Sequence, residues 1–211
     1  MAESEKPDGR RGYHHGNLRE ALVEATRALI RDKGVAGFTF AEAARRAGVS
    51  PAAPYRHFQN REELIAEIAR QGFERFAMRL EAAWDRGRPS PLSAFEAVSR
   101  AYLAFAREEP DHYAAMFEAR LAPEHSASIS ESGHRAFDVL RQACLRLTAH
   151  LPEAERPPAH MMAYHVWSMA HGTAALFATP DAGRRSPIPA EDLLESGITI
   201  YLRGLGLIPP P

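Results

Sequence analysis

The sequence predicts an all-helical fold. Three features point there. Apolar residues recur three and four positions apart through most of the chain, capping signals and Gly or Pro stops punctuate it at short intervals, and no segment alternates with the period of two that a half-buried strand needs.

Residues 1–12, MAESEKPDGRRG, are polar and lack apolar periodicity, so they read as a disordered arm. Leu18, Leu22, Ala25 and Leu29 then fall on one helical face, and Gly34 supplies the stop, giving a helix over roughly 17–33. Thr39 and Glu42 have the spacing of a capping box, opening a short helix through FAEAARRA that Gly48 ends. Ser50 followed by Pro51 starts another, through Tyr55 to Phe58. Asn60 and Glu63 repeat the capping spacing ahead of a long helix that carries Leu64, Ile68, Phe73, Phe76, Leu80 and Trp84 broadly along one side; Gly87 and Pro89 close it. Further helices are predicted from Ser90 to about Glu109, from Pro110 through Phe117, from the APEHSAS break to about His150, from about Ala159 to Phe177, and over about 190–203. The total is about nine.

At 211 residues and 45% hydrophobic, the chain can bury one substantial core or a small module on a larger one. Its single cysteine, Cys144, excludes an internal disulfide and a cysteine-rich zinc framework. No apolar run approaches the ~18 residues of a membrane span and the polar start is unlike a signal peptide, so a cytoplasmic protein without membrane contact is expected. Charge is divided by region. Residues 1–61 hold 11 Lys and Arg against 7 Asp and Glu, whereas residues 62–211 hold 15 against 20. A basic third on an acidic body suits a polyanionic partner, or a solvated face.

Two short helices around a glycine-containing turn are the parts of a helix-turn-helix, although a plain helical hairpin has the same parts. Ala43, Ala44 and Ala47 permit close approach, while Val49, Tyr55 and Phe58 supply packing groups. The run TFAEAARRAGVSPAAPYRHFQNREELI resembles the DNA-binding segment of TetR-family bacterial transcriptional regulators: a small-residue helix, Ala-Gly-Val-Ser, a Tyr-x-x-Phe helix, then a basic residue with Glu-Leu. The resemblance covers about residues 14–66. WSMAHG, Trp167 to Gly172, is similar to the Trp-x-x-x-His-Gly element of one TetR subgroup.

The resemblance implies that residues 51–58 form the recognition helix, opened by Ser50. It implies that Tyr55 and His57 reach phosphates, that Arg61 contacts the DNA backbone and that Thr39 holds a phosphate. Ala52, Ala53 and Arg56 are left for base edges, with Arg56 the candidate for a guanine. Arg45 and Arg46 read equally as phosphate contacts or as solvated charge. Pro54 stands where the family usually has an aliphatic residue. A proline inside a helix costs ~3 kcal/mol, but in the first turn most of that cost disappears, so a short helix with a rigid entry is expected. His14 and His15, with Arg10 and Arg11, are read as an arm toward DNA or a disordered tail.

The resemblance divides the chain into the arm at 1–12, a helix-turn-helix domain at 13–60, and an effector-binding and dimerisation domain at 61–211. Aromatic and methionine-rich stretches there give Tyr102, Met116, Phe117, Phe137, Trp167 and His171 as candidate pocket residues, each equally a core residue. His160, His165 and His171 are spaced by five and six, which does not align them on one helical face, so no metal site is expected; Cys144 reads as a buried hydrophobe. No nucleotide-binding, zinc-protease or serine-hydrolase motif occurs, so no enzyme and no cofactor are expected. The expected function is a ligand-responsive repressor that binds a palindromic double-stranded operator as a homodimer and is released by a small apolar effector. The rival is a small-molecule-binding or catalytic helical protein whose N-terminal hairpin is only structural.

Overall fold

A computed structural model describes residues 18–119, 121, 126–178 and 186–209, with the backbone alone for residues 126–128. The expected arm at 1–12 lies outside the described residues. Among the described residues eight α-helices follow in order: α1 (Leu18–Lys33), α2 (Phe40–Arg46), α3 (Arg61–Trp84), α4 (Pro91–Glu108), α5 (Pro110–Phe117), α6 (Ser126–Thr148), α7 (Ala159–Phe177) and α8 (Ala190–Gly204). No strand occurs among the described residues. The predicted helix over 51–58 is the exception: only Pro54–Arg56 is helical, as a single 3-10 turn.

The capping signals act as the sequence implies. Thr39 Oγ1 accepts from the Glu42 amide at 3.2 Å, and the Glu42 carboxylate accepts from the Thr39 amide at 2.8 Å. Asn60 Oδ1 accepts from the Glu63 amide at 2.8 Å, but Glu63 reaches back to the Gln59 amide rather than to Asn60. Gly34 and Gly48 both take positive φ, +74° in each case, which lets α1 and α2 end sharply.

Two cores form, and α3 serves both. Leu22, Leu29, Ile30, Phe38, Phe58, Leu64, Ile65 and Ile68 make the first, while Phe76, Leu80, Phe95, Phe105, Leu140, Met162, Val166, Leu194 and Leu202 belong to the second. Each large side chain fully buried in this way contributes about 1.5–3 kcal/mol. The first core ends on α3 at Ala69 and the second begins at Phe73. The packing boundary therefore lies within a continuous helix, some ten residues past the division at 60 that the sequence suggests.

Helix α5 bridges the two cores. Ala115 packs in the first, whereas Tyr113 and Met116 pack in the second. Glu109, just before α5, accepts from Arg75 Nε at 2.6 Å and from Arg79 at 2.9 Å, while Asp111 accepts from Arg27 Nε at 2.6 Å and lies 2.9 Å from Arg31. Both carboxylates are almost fully buried. Burial alone would raise them, but the hydrogen bonds and charges of Arg27 and Arg31 at Asp111, and of Arg75, His112 and Arg79 at Glu109, outweigh it and hold both below their ordinary values. His112, 1% exposed, donates its Nδ1–H to the Ile68 carbonyl at 3.0 Å.

A depressed carboxyl stabilises the fold above its unfolded value and loses that contribution as the pH falls through the folded one. Glu109→Gln is therefore expected to cost about 1–3 kcal/mol at pH 7. Urea titrations between pH 5 and pH 3 should show the parent losing stability more steeply than the variant.

Candidate functional site

The segment after α2 is shaped by what Pro54 cannot do. With no N–H at residue 54, the i→i−4 bond to Ser50 cannot form, so the chain closes in tighter turns: Ala53 N donates to the Ser50 carbonyl at 3.0 Å and His57 N to the Pro54 carbonyl at 2.9 Å. Only the Phe58 amide makes a four-residue closure, also to Pro54, at 3.0 Å. Ser50 contributes its carbonyl and not the side-chain cap the sequence suggested. Ala53 is nevertheless in the right-handed helical region, at φ −64° and ψ −39°, despite preceding a proline. Pro54 and Phe58 are both buried, pinning the turn to the first core.

That anchorage turns the remaining side chains outward. Ser50, Ala52, Tyr55, Arg56 and His57 are exposed and Ala53 is half-buried. Tyr55 is 63% exposed yet lies edge-on to Phe40, with centroids 5.1 Å apart, so its hydroxyl projects from a supported ring. Arg45 and Arg56 pair with no acidic group among the described residues, whereas Arg46 is tied to Asp32 at 2.7 Å. Arg45 is thus the open charge of α2. The Thr39 hydroxyl is occupied in its capping box.

Arg61 points into the protein. Its Nε donates to the Phe38 carbonyl at 3.0 Å, Nη2 donates to the Val35 carbonyl, and the guanidinium lies 4.5 Å over the Phe38 ring. Sequence gives no sign of this, because the two carbonyls approach residue 61 only after the α1–α2 connection has folded back.

In the second core, five of the six predicted pocket residues converge. Trp167 lies 5.7 Å from Tyr102, 6.4 Å from Phe117 and 5.8 Å from Phe137, and Phe117 lies 4.8 Å from His171. Met116 instead packs against α3 at Gly72, where an added Cβ would come within 2.7 Å of its sulfur. Phe73, Phe76, Tyr113 and Tyr164 join the cluster without having been predicted as pocket residues. The Tyr113 hydroxyl is 2.9 Å and the Tyr102 hydroxyl 3.0 Å from the same His171 Nδ1. The spacing of Tyr113 with Phe117 and of Trp167 with His171, four residues each, was the available signal. Burial pushes the Tyr113 hydroxyl up to about 12, raises Tyr102 and lowers His171, so all three are neutral near pH 7.

Beside this cluster, α4, α5, α7 and α8 enclose a cleft of ≈ 500 Å³ lined by Leu103, Ala106, Tyr113, Ala174 and Phe177, with Arg107, Glu118 and Glu191 at its charged positions. The volume is that of a small-molecule site. His160 and His165 have other company, Phe137 with Tyr164 and the Tyr201 hydroxyl respectively. Cys144 is buried, its thiol pushed up to about 12.

Residues 22–68 match the family described as bacterial regulatory proteins, tetR family, and residues 95–201 match tetracyclin repressor-like, C-terminal domain. The chain belongs to the TetR family. TetR-family regulators are non-catalytic DNA-binding proteins that also bind small-molecule ligands. The HTH-type transcriptional regulator BetI of Rhizobium meliloti (strain 1021) is 42% identical over 52 residues, 25% of this chain and 26% of BetI. The match thus spans about a quarter of that relative. A protein of unknown function from Rhodococcus sp. RHA1 is 29% identical, with a TM-score of 0.76 over 92% of this chain and 98% of that one. AibR, solved in complex with isovaleryl coenzyme A and operator DNA, shares the fold at 20% identity, with a TM-score of 0.68 over 87% of this chain and 97% of AibR. The first TetR match begins and ends on residues of the first core, Leu22 and Ile68.

Lysine keeps the charge at position 61 but lacks the planar fork that serves two carbonyls. Arg61→Lys is expected to lower unfolding stability by about 1–2 kcal/mol, read from the urea midpoint.

Proposed function

We propose that this TetR-family regulator is a cytoplasmic, ligand-responsive repressor that binds a palindromic operator as a homodimer. One observation carries the DNA-binding half: Tyr55, Arg56, His57 and Arg45 stand exposed, with no acidic partner among the described residues, on a turn whose other face is locked into the core by Pro54 and Phe58. Tyr55, His57 and Arg45 meet phosphates, and Arg56 a guanine edge, with Ala52 and Ala53 offering methyl contacts to thymine. Thr39 and Arg61 hold the frame from which these groups project.

The dimer face lies on α7 and α8. Met161, Tyr164 and Leu176 on α7, and Leu193 and Ile200 on α8, are exposed, Leu176 and Ile200 each by 67%. A row of large apolar groups on two adjacent helices wants a partner, and a two-fold pair sets two recognition segments against successive turns of a palindrome. Membership of the Trp-x-x-x-His-Gly subgroup rests on the WSMAHG element alone, Trp167 to Gly172. A ligand in the α4–α5–α7–α8 cleft touches α5, whose Asp111 grips α1, so a ligand that shifts α5 weakens DNA binding by linkage. AibR, with ligand and operator on the same fold, supports this reading.

Against a duplex selected from a random library, Arg45→Ala is expected to reduce the slope of log affinity on log salt by about 0.9, whereas Arg56→Ala relaxes preference at one base pair. Unchanged binding in both variants would remove the recognition assignment. In sedimentation at micromolar concentration, the parent is expected at twice the 23.4 kDa chain mass and Leu176→Asp with Ile200→Asp at the chain mass. A monomeric parent would overturn the dimer.

A further inference from the structure

We infer that a second cleft, at the end of α3 away from Arg61, binds a small organic anion, a carboxylate or phosphate head on an apolar body. The inference does not depend on the ligand-responsive reading, because this cleft shares no lining residue with the one between α4, α5, α7 and α8.

The α3–α4 connection, the end of α6 and the segment after α8 enclose the cleft, which has a volume of ≈ 660 Å³ and is open on one side. That is room for an organic molecule rather than for a bare phosphate. Its charged and titratable lining is entirely basic: Arg86, Arg146 and His150, with no carboxylate. The cleft beside the aromatic cluster, by contrast, carries Glu118 and Glu191.

This concentration of cations runs against its surroundings. Residues 62–211 hold 15 Lys and Arg against 20 Asp and Glu, so a cation there has carboxylates to pair with. From α3 onward, every described arginine except Arg86, Arg100 and Arg146 meets a carboxylate or a backbone carbonyl. Two of these exceptions line the same cleft. The acid next to Arg86 in the chain is taken by another partner: Arg88 Nη2 donates to Asp85 Oδ1 at 2.5 Å. Like charges that share a cleft repel each other, and an anion between them removes that repulsion. Guanidinium forks match carboxylate and phosphate oxygens equally well.

The backbone adds to the attraction. Helix α4, 18 residues long, begins in this cleft, so the positive end of its dipole faces the same space. The opposing carbonyl end of α6 is answered by Arg156, which donates to the Leu151 and Ala149 carbonyls at 2.9 and 3.2 Å. Pro91, Leu92, Leu147 and Leu207 give the cleft apolar walls, which an anion with a hydrocarbon body covers and a bare ion leaves in water.

Calorimetry on the full chain tests the inference with octanoate, octyl phosphate, octan-1-ol, octylamine and inorganic phosphate. Octanoate and octyl phosphate are each expected to bind at least about 10-fold more tightly than octan-1-ol. The double variant Arg86→Gln with Arg146→Gln should erase that preference, with circular dichroism confirming its fold. Trp84 locates the binding with both arginines in place, since a Cβ at Gly87 in the cleft wall would lie 3.3 Å from its ring. In a Trp167→Phe background its emission is expected to change with either organic anion. Equal binding of the organic anions and octan-1-ol, a preference that survives the double variant, or tighter binding of octylamine would each overturn the inference. So would inorganic phosphate binding as tightly as octyl phosphate, anion binding that leaves Trp84 emission unchanged, or no anion binding at all.

Discussion

Two carboxylates that have almost left water determine how this protein is put together. Glu109 and Asp111 are stable in their buried positions only because arginines reach them, Arg75 and Arg79 from α3 and Arg27 and Arg31 from α1. Those contacts fix α5 against two helices at once. Five further residues of α5 then have their places: His112 on the Ile68 carbonyl, Ala115 in the first core, Met116 against Gly72, Tyr113 and Phe117 in the aromatic cluster. A helix of eight residues could not hold such an arrangement by its own propensity, since isolated helices of that length are marginal in water.

The same economy governs the segment proposed to meet DNA. A recognition segment needs exposed polar groups held in a fixed frame, and here the frame is made by residues that cannot move far: Pro54 with its fixed φ, Phe58 in the core, Phe40 beneath Tyr55, and Arg61 clasping the carbonyls of residues 35 and 38. The short 3-10 turn has few internal hydrogen bonds to stiffen it. Its rigidity comes from its attachments.

Much of the fold was legible because helix boundaries are written locally. Thr39 with Glu42, Ser90 before Pro91, and the prolines that open α4 and α5 all act within the turn that they announce. The departures all required knowledge of distant partners. A missing N–H at Pro54 predicts a lost bond, but whether the chain recovers an α-helix depends on the burial of Pro54 and Phe58. Arg61 reads as a DNA-backbone contact until the α1–α2 connection brings two carbonyls to it. Tyr113 sits in a run that signalled an apolar helix, yet its role appears only once α5 is wedged between α3 and α7. The domain division at 60 came from the family resemblance, whereas packing divides the chain between Ala69 and Phe73.

The central claim is that the carboxylates at the start of α5 fasten the first core to the second. Amide hydrogen exchange on Asp111→Asn tests it most directly, because exchange reports opening helix by helix. The account predicts faster exchange across the buried face of α1, from Leu22 to Ile30, with α7 and α8 keeping the parent's protection. Unchanged exchange in α1 would contradict it, and would mean that the first core holds its place without the grip of α5.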